Sequence, residues 1–257
     1  MYFLGLALAL VMGLALGTLG GGGSTLTVPI FVYVLGFEAK RAIVMSFPVV
    51  GAASVAGAVT HWRHGHVRWR TAFTFGVVAM ATAYLSAHYL APRVTGGFQL
   101  GLLGAVMVAA AISMFRSAAR ERRGLEQKSR PAWLLLPIGA AVGVLTGLVG
   151  IGGGFLIVPA LVLFASVPMK EAVGTSLVVI ALNTLAGFAG GATTVSIPWG
   201  FVALFTAIAV LGIVAGGFVV KAASPQQLKR AFAVFLVVVG AFILIQNRAA
   251  FLAPAGP

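Results

Sequence analysis

"GLVGIGGGFLIVPAL", from Gly147 to Leu161, places three consecutive glycines and a proline inside one of the most apolar regions of the chain. An earlier stretch, "GTLGGGGSTLTVPIF" from Gly17 to Phe31, has the same construction. Displacing the sequence by 130 residues superposes them. Gly17, Gly20, Gly22, Gly23, Leu26, Val28 and Pro29 fall on Gly147, Gly150, Gly152, Gly153, Leu156, Val158 and Pro159. Without a gap, the same displacement carries Lys40 onto Lys170, Ala42 onto Ala172, Ser46 onto Ser176, Ala56-Gly57 onto Ala186-Gly187 and Trp69 onto Trp199. Coincidences of Gly and Ala are common in such a composition. Lys, Pro, Ser and Trp at one common displacement are not, so the chain is a duplicated unit.

Composition sets the solvent in which the two copies fold. Of the 257 residues 60% are hydrophobic and 8% charged, and no polar domain interrupts the apolar stretches, which is the make-up of an all-α polytopic membrane protein. These stretches fall near 2–19, 25–36, 42–60, 69–91, 97–116, 132–149, 154–166, 172–192, 199–220 and 231–247. Most can cross a hydrocarbon core of about 30 Å at roughly 1.5 Å per residue. The stretches 25–36 and 154–166 cannot, and each directly follows a glycine cluster. The expectation is eight to ten membrane segments, including two broken or re-entrant glycine-rich hairpins. Residues 2–19 lack a basic leader and read as a retained membrane helix.

The chain carries 17 Lys and Arg against 4 acidic residues, a formal charge of +13. In a soluble protein that balance would suggest nucleic acid. Here the cations collect in short loops between apolar spans, where they set orientation and meet anionic lipid. The joint between the copies, "SAARERRGLEQKSRP" (117–131), is strongly basic and marks the cytoplasmic side. It divides a first membrane repeat, 1–116, from a second, 132–257. Counting outward, the basic "HWRHGHVRWR" (61–70) and "KAASPQQLKR" (221–230) come out cytoplasmic, and 92–96 and 193–198 external. Residues 61–70 and 191–200 are repeat equivalents on opposite sides, so the halves are expected to form an inverted repeat with both termini outside. A parallel four-plus-four arrangement is the competitor.

Helix breaks at membrane depth free N–H and C=O groups, and such backbone survives only inside protein or beside a wet cavity. In secondary transporters built from inverted repeats, half-helix N-termini point their positive dipole ends at anionic substrate groups. Gly22, Gly23, Ser24 and Thr25 in one copy, and Gly152, Gly153, Gly154 and Phe155 in the other, are therefore candidate substrate residues. Only the first copy adds hydroxyls. Close helix packing is the alternative use of these glycines.

Ser46 and Ser176, early in apolar helices, and Thr175, where the first copy has Met45, are candidate ligands of a polar cargo that can equally bond to their own helix backbone. Asn183 is costly in lipid without a partner. It serves either helix pairing or substrate. Lys40 and Lys170 belong either to headgroup-level loops or to a cargo vestibule. His61, His64 and His66 have metal-like spacing but stand among Arg63, Arg68 and Arg70 without a carboxylate, which reads as an interfacial loop and not a metal site.

There is no cysteine, so thiol and disulfide chemistry are excluded. No H-E-x-x-H, no G-x-S-x-G and no nucleotide-binding motif occurs, and no enzymatic activity or cofactor is expected. The partners expected are a small anion and membrane lipid, not nucleic acid, with a homo-oligomer left open.

The second copy carries a resemblance. "GLVGIGGGFLIVPALVLF" followed by "KEAVGTSLVVIALNTLAG", with the looser first copy, resembles the duplicated signature of the TauE/SafE family of sulfite and sulfonate transporters. The resemblance covers essentially the whole chain. It implies a bacterial inner-membrane permease for small sulfur-containing anions such as sulfite or organosulfonates, often an exporter. The residues themselves reach only a duplicated membrane protein with paired breaks suited to an anion. An anion channel, or an uptake permease for another small carboxylate or sulfonate, are the alternatives.

Overall fold

Pro29 and Pro159 shape the shortest helices of each copy. A proline has no N–H to donate, and after each one the helix widens into a π turn. Leu35 N donates to Ile30 O at 3.1 Å and Phe37 N to Phe31 O at 2.9 Å; in the second copy Ala165 N donates to Ala160 O at 3.3 Å and Val167 N to Leu161 O at 3.0 Å. The wide turn closes through a left-handed residue, Gly36 at φ 73° in one copy and Ser166 at φ 54° in the other.

The computed structural model describes residues 2–90, 93–94, 96–122, 135–149, 154–191 and 196–246, and the regular structure among them is helical. The first copy gives α1 (Tyr2–Leu19), α2 (Ser24–Pro29) with its π turn Ile30–Val34, α3 (Ala39–Arg63), α4 (Trp69–Leu85) with a π turn Ser86–Leu90, and α5 (Gly96–Arg122). The second gives α6 (Leu135–Val149), α7 (Gly154–Pro159) with its π turn Ala160–Phe164, α8 (Met169–Gly191), α9 (Trp199–Ala222) and α10 (Pro225–Gln246). The bounds of α2 and α7 and of their π turns repeat at 130 residues to the residue. Several boundaries lie beyond the apolar stretches: α3 runs on to Arg63, α5 runs on to Arg122 and α10 begins at Pro225, because "SAARER" and "QQLKR" contain good helix formers and a helix need not stop where apolarity does.

Among the described residues four helices are long and apolar enough to cross a membrane: Arg41–Arg63, Trp69–Leu90, Trp199–Ala222 and Pro225–Ile245. Large apolar side chains point outward along them, Val55, Phe73, Leu211 and Val238 among them. Water would penalise that surface and lipid does not.

The copies interleave. α1 packs chiefly on α9, and its repeat equivalent α6 on α4. Gly13 lies against Ala209 and Gly17 against Ile213, while Gly143 lies against Ala79 and Gly147 against Ala83. These are one arrangement built twice, and in both the helices run parallel. Glycines spaced by four residues let the backbones touch, the usual device where no hydrophobic force drives helices together. The equivalent pair α3 and α8 run antiparallel, since Gly51 faces Thr184, Gly57 faces Leu177 and Gly174 faces His61. So do α5 and α10, where Gly104 faces Leu244 and Gly240 faces Met107.

The first glycine cluster ends a helical hairpin. α2 returns along α1: a Cβ on Gly23 would strike Leu16, and one on Gly5 would lie 2.6 Å from Leu35 Cδ2. The return leg covers 11 residues, 24–34, about 16 Å at 1.5 Å per residue. Phe31 anchors it, fully buried, with its ring centroid 4.9 Å from that of Phe205 on α9 and 6.0 Å from Phe37.

Candidate functional site

The tip of the first hairpin touches the start of α7. The turn after α1 is made by Gly20, at φ 70°, whose N–H still donates to Leu16 O at 2.9 Å. A side chain there would meet Ser176 Oγ at 2.5 Å. At Gly21 any side chain would overlap the carbonyl of Gly154, the first residue of α7, and Gly154 in turn abuts Ser24 Oγ and lies near Ile180. Gly20, Gly21, Ser24, Gly154, Ser176 and Ile180 therefore form one junction of α2, α7 and α8.

Several expected residues come together there and others do not. Gly22 is covered by the rings of Phe235 and Phe232 on α10, and Gly23 packs on Leu16. Ser24 Oγ donates to Gly21 O at 2.7 Å and Thr25 Oγ1 to Gly22 O at 2.6 Å. The amides of Thr25 and Leu26 donate to Gly22 O and Gly23 O at 3.3 and 3.1 Å. In this conformation the tip is closed on itself. Ser46 Oγ donates to Ile43 O at 2.6 Å and Ser176 Oγ to Val173 O at 2.8 Å, the backbone alternative in both copies. Phe155 is buried and lies on α7. Gly152 and Gly153 lie outside the described residues, as does the side chain of Lys40.

Residues 5–243 match the family pattern of sulfite exporter TauE/SafE. The chain belongs to the TauE/SafE family. A "Probable membrane transporter protein" of Xylella fastidiosa is 31% identical over 251 residues, 95% of each chain. One of Methanocaldococcus jannaschii is 28% identical over 265 residues, covering 95% of this chain and 97% of its own. One of Haemophilus influenzae is 28% identical over 249 residues, with 88% and 92% covered. This TauE/SafE chain is thus a membrane transporter.

Two tethers join the halves of the transporter at equivalent places with opposite polarity. Where α8 begins, the Glu171 carboxylate pairs with the Arg68 guanidinium, and the buried Thr175 Oγ1 accepts the Arg68 backbone N–H at 3.0 Å. Where α3 begins, Arg41, the equivalent of Glu171, donates from Nε to Ser196 O at 2.9 Å. Each tether holds the first turn of one helix to the loop entering a helix of the other copy. Lys170 Nζ donates to Lys221 O at 3.1 Å, at the C-terminal end of α9, where a cation is favoured by the helix dipole. Neither Thr175 nor Lys170 faces the hairpin tips. Burial and the charge of Lys170 hold the His66 imidazole below its ordinary value.

Buried polar atoms without a partner mark the rest of the interior: Asn183 Oδ1, Ser54 Oγ, Thr27 Oγ1 and His61 Nδ1. An unsatisfied buried group costs about 1–3 kcal/mol, which makes these four atoms the interior's unfilled positions for a polar partner. Ser54 and Thr184 are repeat equivalents, and Thr184 Oγ1 donates to Ile180 O at 2.9 Å while facing Gly51. Sequence reasoning missed Ser54, Thr184 and Thr27. The displacement of 130 residues pairs a hydroxyl with a hydroxyl at 54 and 184 and could have found two of them. His61 was placed in a loop, whereas α3 continues through it to Arg63.

Proposed function

We propose that this chain is a secondary carrier for a small sulfur-containing anion, sulfite or an organosulfonate, working by alternating access and exporting from the bacterial cytoplasm. The observation that carries the reading is the contact of Gly21 with Gly154: two broken helices, one from each copy, meet tip to tip. Separating the tips by rocking one copy against the other frees the backbone N–H groups of residues 20–24 on one side and then on the other. Glycine at the tip lets an anion reach those groups without a Cβ in the way. Acidic side chains are confined to Glu38, Glu121, Glu126 and Glu171, so an anion meets little repulsion at membrane depth.

An inverted repeat is supported by the helix directions. α3 and α8 are equivalent and antiparallel, as are α5 and α10, as an axis across those helices would require. With the basic segments 61–70 and 221–230 cytoplasmic, α1 enters from outside and α6 from inside. The short return legs of both hairpins then re-enter instead of crossing. Sulfur as the cargo rests on the family description alone.

Proteoliposome counterflow tests the reading. Vesicles loaded with unlabelled sulfite, methanesulfonate or sulfoacetate should take up the labelled anion faster than protein-free vesicles, and saturably. Large single-channel currents without counterflow would support an anion channel instead. No movement of any of the three anions under any gradient sinks the cargo assignment.

A further inference from the structure

His61 is buried to 2% exposure near the end of α3, and its two ring nitrogens have unequal surroundings. Nε2 lies 3.1 Å from Gly17 O. A carbonyl only accepts, so Nε2 carries a hydrogen and donates it. Nδ1 is enclosed and has no partner. In the neutral ring it is a bare acceptor, and a proton arriving there makes an imidazolium. Gly17 O is one of the last carbonyls of α1, unpaired within its own helix, and a helix C-terminus favours positive charge. That carbonyl, one turn before the glycine tip at Gly20–Gly23, is the one neighbour that favours a charged ring, and enclosure of the ring opposes it.

Two further histidine rings stand between the His61 ring and water. His64 is exposed, with Nδ1 2.7 Å from Thr60 O. Its ring is stacked on half-buried His66, with centroids 6.4 Å apart, and the His66 ring lies 6.1 Å from that of His61. Exposure falls along the series from His64 through His66 to His61. The charged groups that act on His66 are Lys170 and Glu171 at the start of α8, with Arg68 of the following turn paired to Glu171. From α1 only the carbonyl of Gly17 is offered to His61.

We propose that His61 Nδ1 is the proton-binding site that couples cargo movement to the pH gradient, loaded through His66 and His64 from the side on which that turn opens. Resting on the carrier reading above, the inference supplies its coupling ion. One proton leaves water on one side, forms the Nδ1–H bond, and returns to water on the other side after the halves have moved. No other bond forms or breaks. The imidazolium attracts an anion at the neighbouring tip and, by linkage, the anion raises proton affinity equally. Proton and anion therefore travel together. Export then runs when the outward cargo gradient exceeds the opposing proton gradient, and uptake when it does not.

The test uses the full chain in proteoliposomes with methanesulfonate, whose sulfonate stays ionised, and with sulfite, for which protein-free vesicles give the background. Wild type should accumulate methanesulfonate toward the alkaline side, approaching about tenfold per pH unit for one proton per anion. His61→Gln should lose that accumulation while retaining counterflow at a reduced, measurable rate. The double variant His64→Gln/His66→Gln changes only the turn and should reach the same accumulation several-fold more slowly. If His61→Gln does not reconstitute, the wild-type response and the double variant decide. Wild-type exchange indifferent to the pH gradient, or full accumulation by His61→Gln, overturns the coupling and leaves the carrier standing. A double variant as fast as wild type overturns the relay. Absence of exchange with either anion overturns carrier and coupling together.

Discussion

Gly21 and Gly154 stand backbone to backbone, with no room at Gly21 for even a methyl group. They are not repeat equivalents: Gly154 corresponds to Ser24, and Gly21 to Ile151. The two hairpins therefore overlap past one another by about one turn, and the contact is asymmetric in chemistry although the scaffold is symmetric. Ser24 places a hydroxyl on one side of the overlap and Gly154 leaves its own side bare.

Gly21→Ala follows from that contact. The added carbon overlaps the Gly154 carbonyl, so backbone must move, at a cost of about 1–3 kcal/mol or more. The thermal midpoint in detergent should fall by several degrees, and counterflow should fall at least tenfold. Gly200→Ala is the control, since nothing lies within 4 Å of the new carbon, and it should match wild type in both measurements. Equal behaviour of the two variants would remove the tip contact from the mechanism.

Thr175 and Glu171 both hold Arg68, by different bonds of different worth. Thr175→Val keeps the shape but removes the acceptor of the partly buried Arg68 N–H, costing about 1–3 kcal/mol. Glu171→Gln weakens an ion pair whose Arg68 side chain is 47% exposed, a loss of about 0–1 kcal/mol. Thermal denaturation should therefore rank Thr175→Val well below Glu171→Gln, with the latter nearly wild type and less salt-sensitive.

Much of this architecture was legible at one displacement of the sequence. Pro29 and Pro159 fall on each other, and so do the helices and π turns around them, because a missing N–H has the same local consequence wherever it occurs. Gly36 and Ser166 were not recognisable as equivalents, since the left-handed turn is imposed by closing the π turn and a serine tolerates it at a cost of about 1–3 kcal/mol. The exchange of partners between copies was also hidden. Gly13 and Gly17 announce a close helix contact, but nothing in their spacing names Ala209 and Ile213 as its other side. Among the candidate site residues, the tip glycines were found by repetition. Lys170 and Thr175 have the right chemistry for an anion, but they face the tethering turn and the end of α9. His61 was missed because its neighbours Arg63 and His64 suggest a loop, whereas its spacing from Ser54 and Gly57 puts it on their buried face.

His66 lies in the turn after α3, outside the spanning segments, and its surroundings give a pH dependence with a definite sign. Burial first and the Lys170 charge second lower its proton affinity, while Glu171 opposes them. Its folded value lies below the unfolded value of about 6.5. The neutral ring's contribution to stability is therefore complete above that pH and is lost as pH falls through the folded value. Lys170→Gln should move the His66 titration upward and Glu171→Gln should move it further down, as read from histidine ring resonances in nanodiscs. Shifts in the same direction for both variants would contradict the assigned causes.

The absence of cysteine from the chain makes the inverted arrangement directly testable by single-cysteine labelling. Arg70 and Gly200 are repeat equivalents, and each is exposed near the start of its helix, α4 or α9. A cysteine at either site should be reactive toward a maleimide when its side of the membrane is reached. With the basic turns cytoplasmic, Gly200→Cys should label in intact cells with a membrane-impermeant reagent, and Arg70→Cys only after lysis. Arg93 and Ala223 give an independent pair: Arg93→Cys labels from outside and Ala223→Cys from inside. Halves related without inversion would place both members of each pair on one side, so a common labelling side for Arg70→Cys and Gly200→Cys decides against the inverted repeat. The antiparallel contact of α3 and α8, at Gly51 with Thr184 and at Gly57 with Leu177, favours opposite labelling sides.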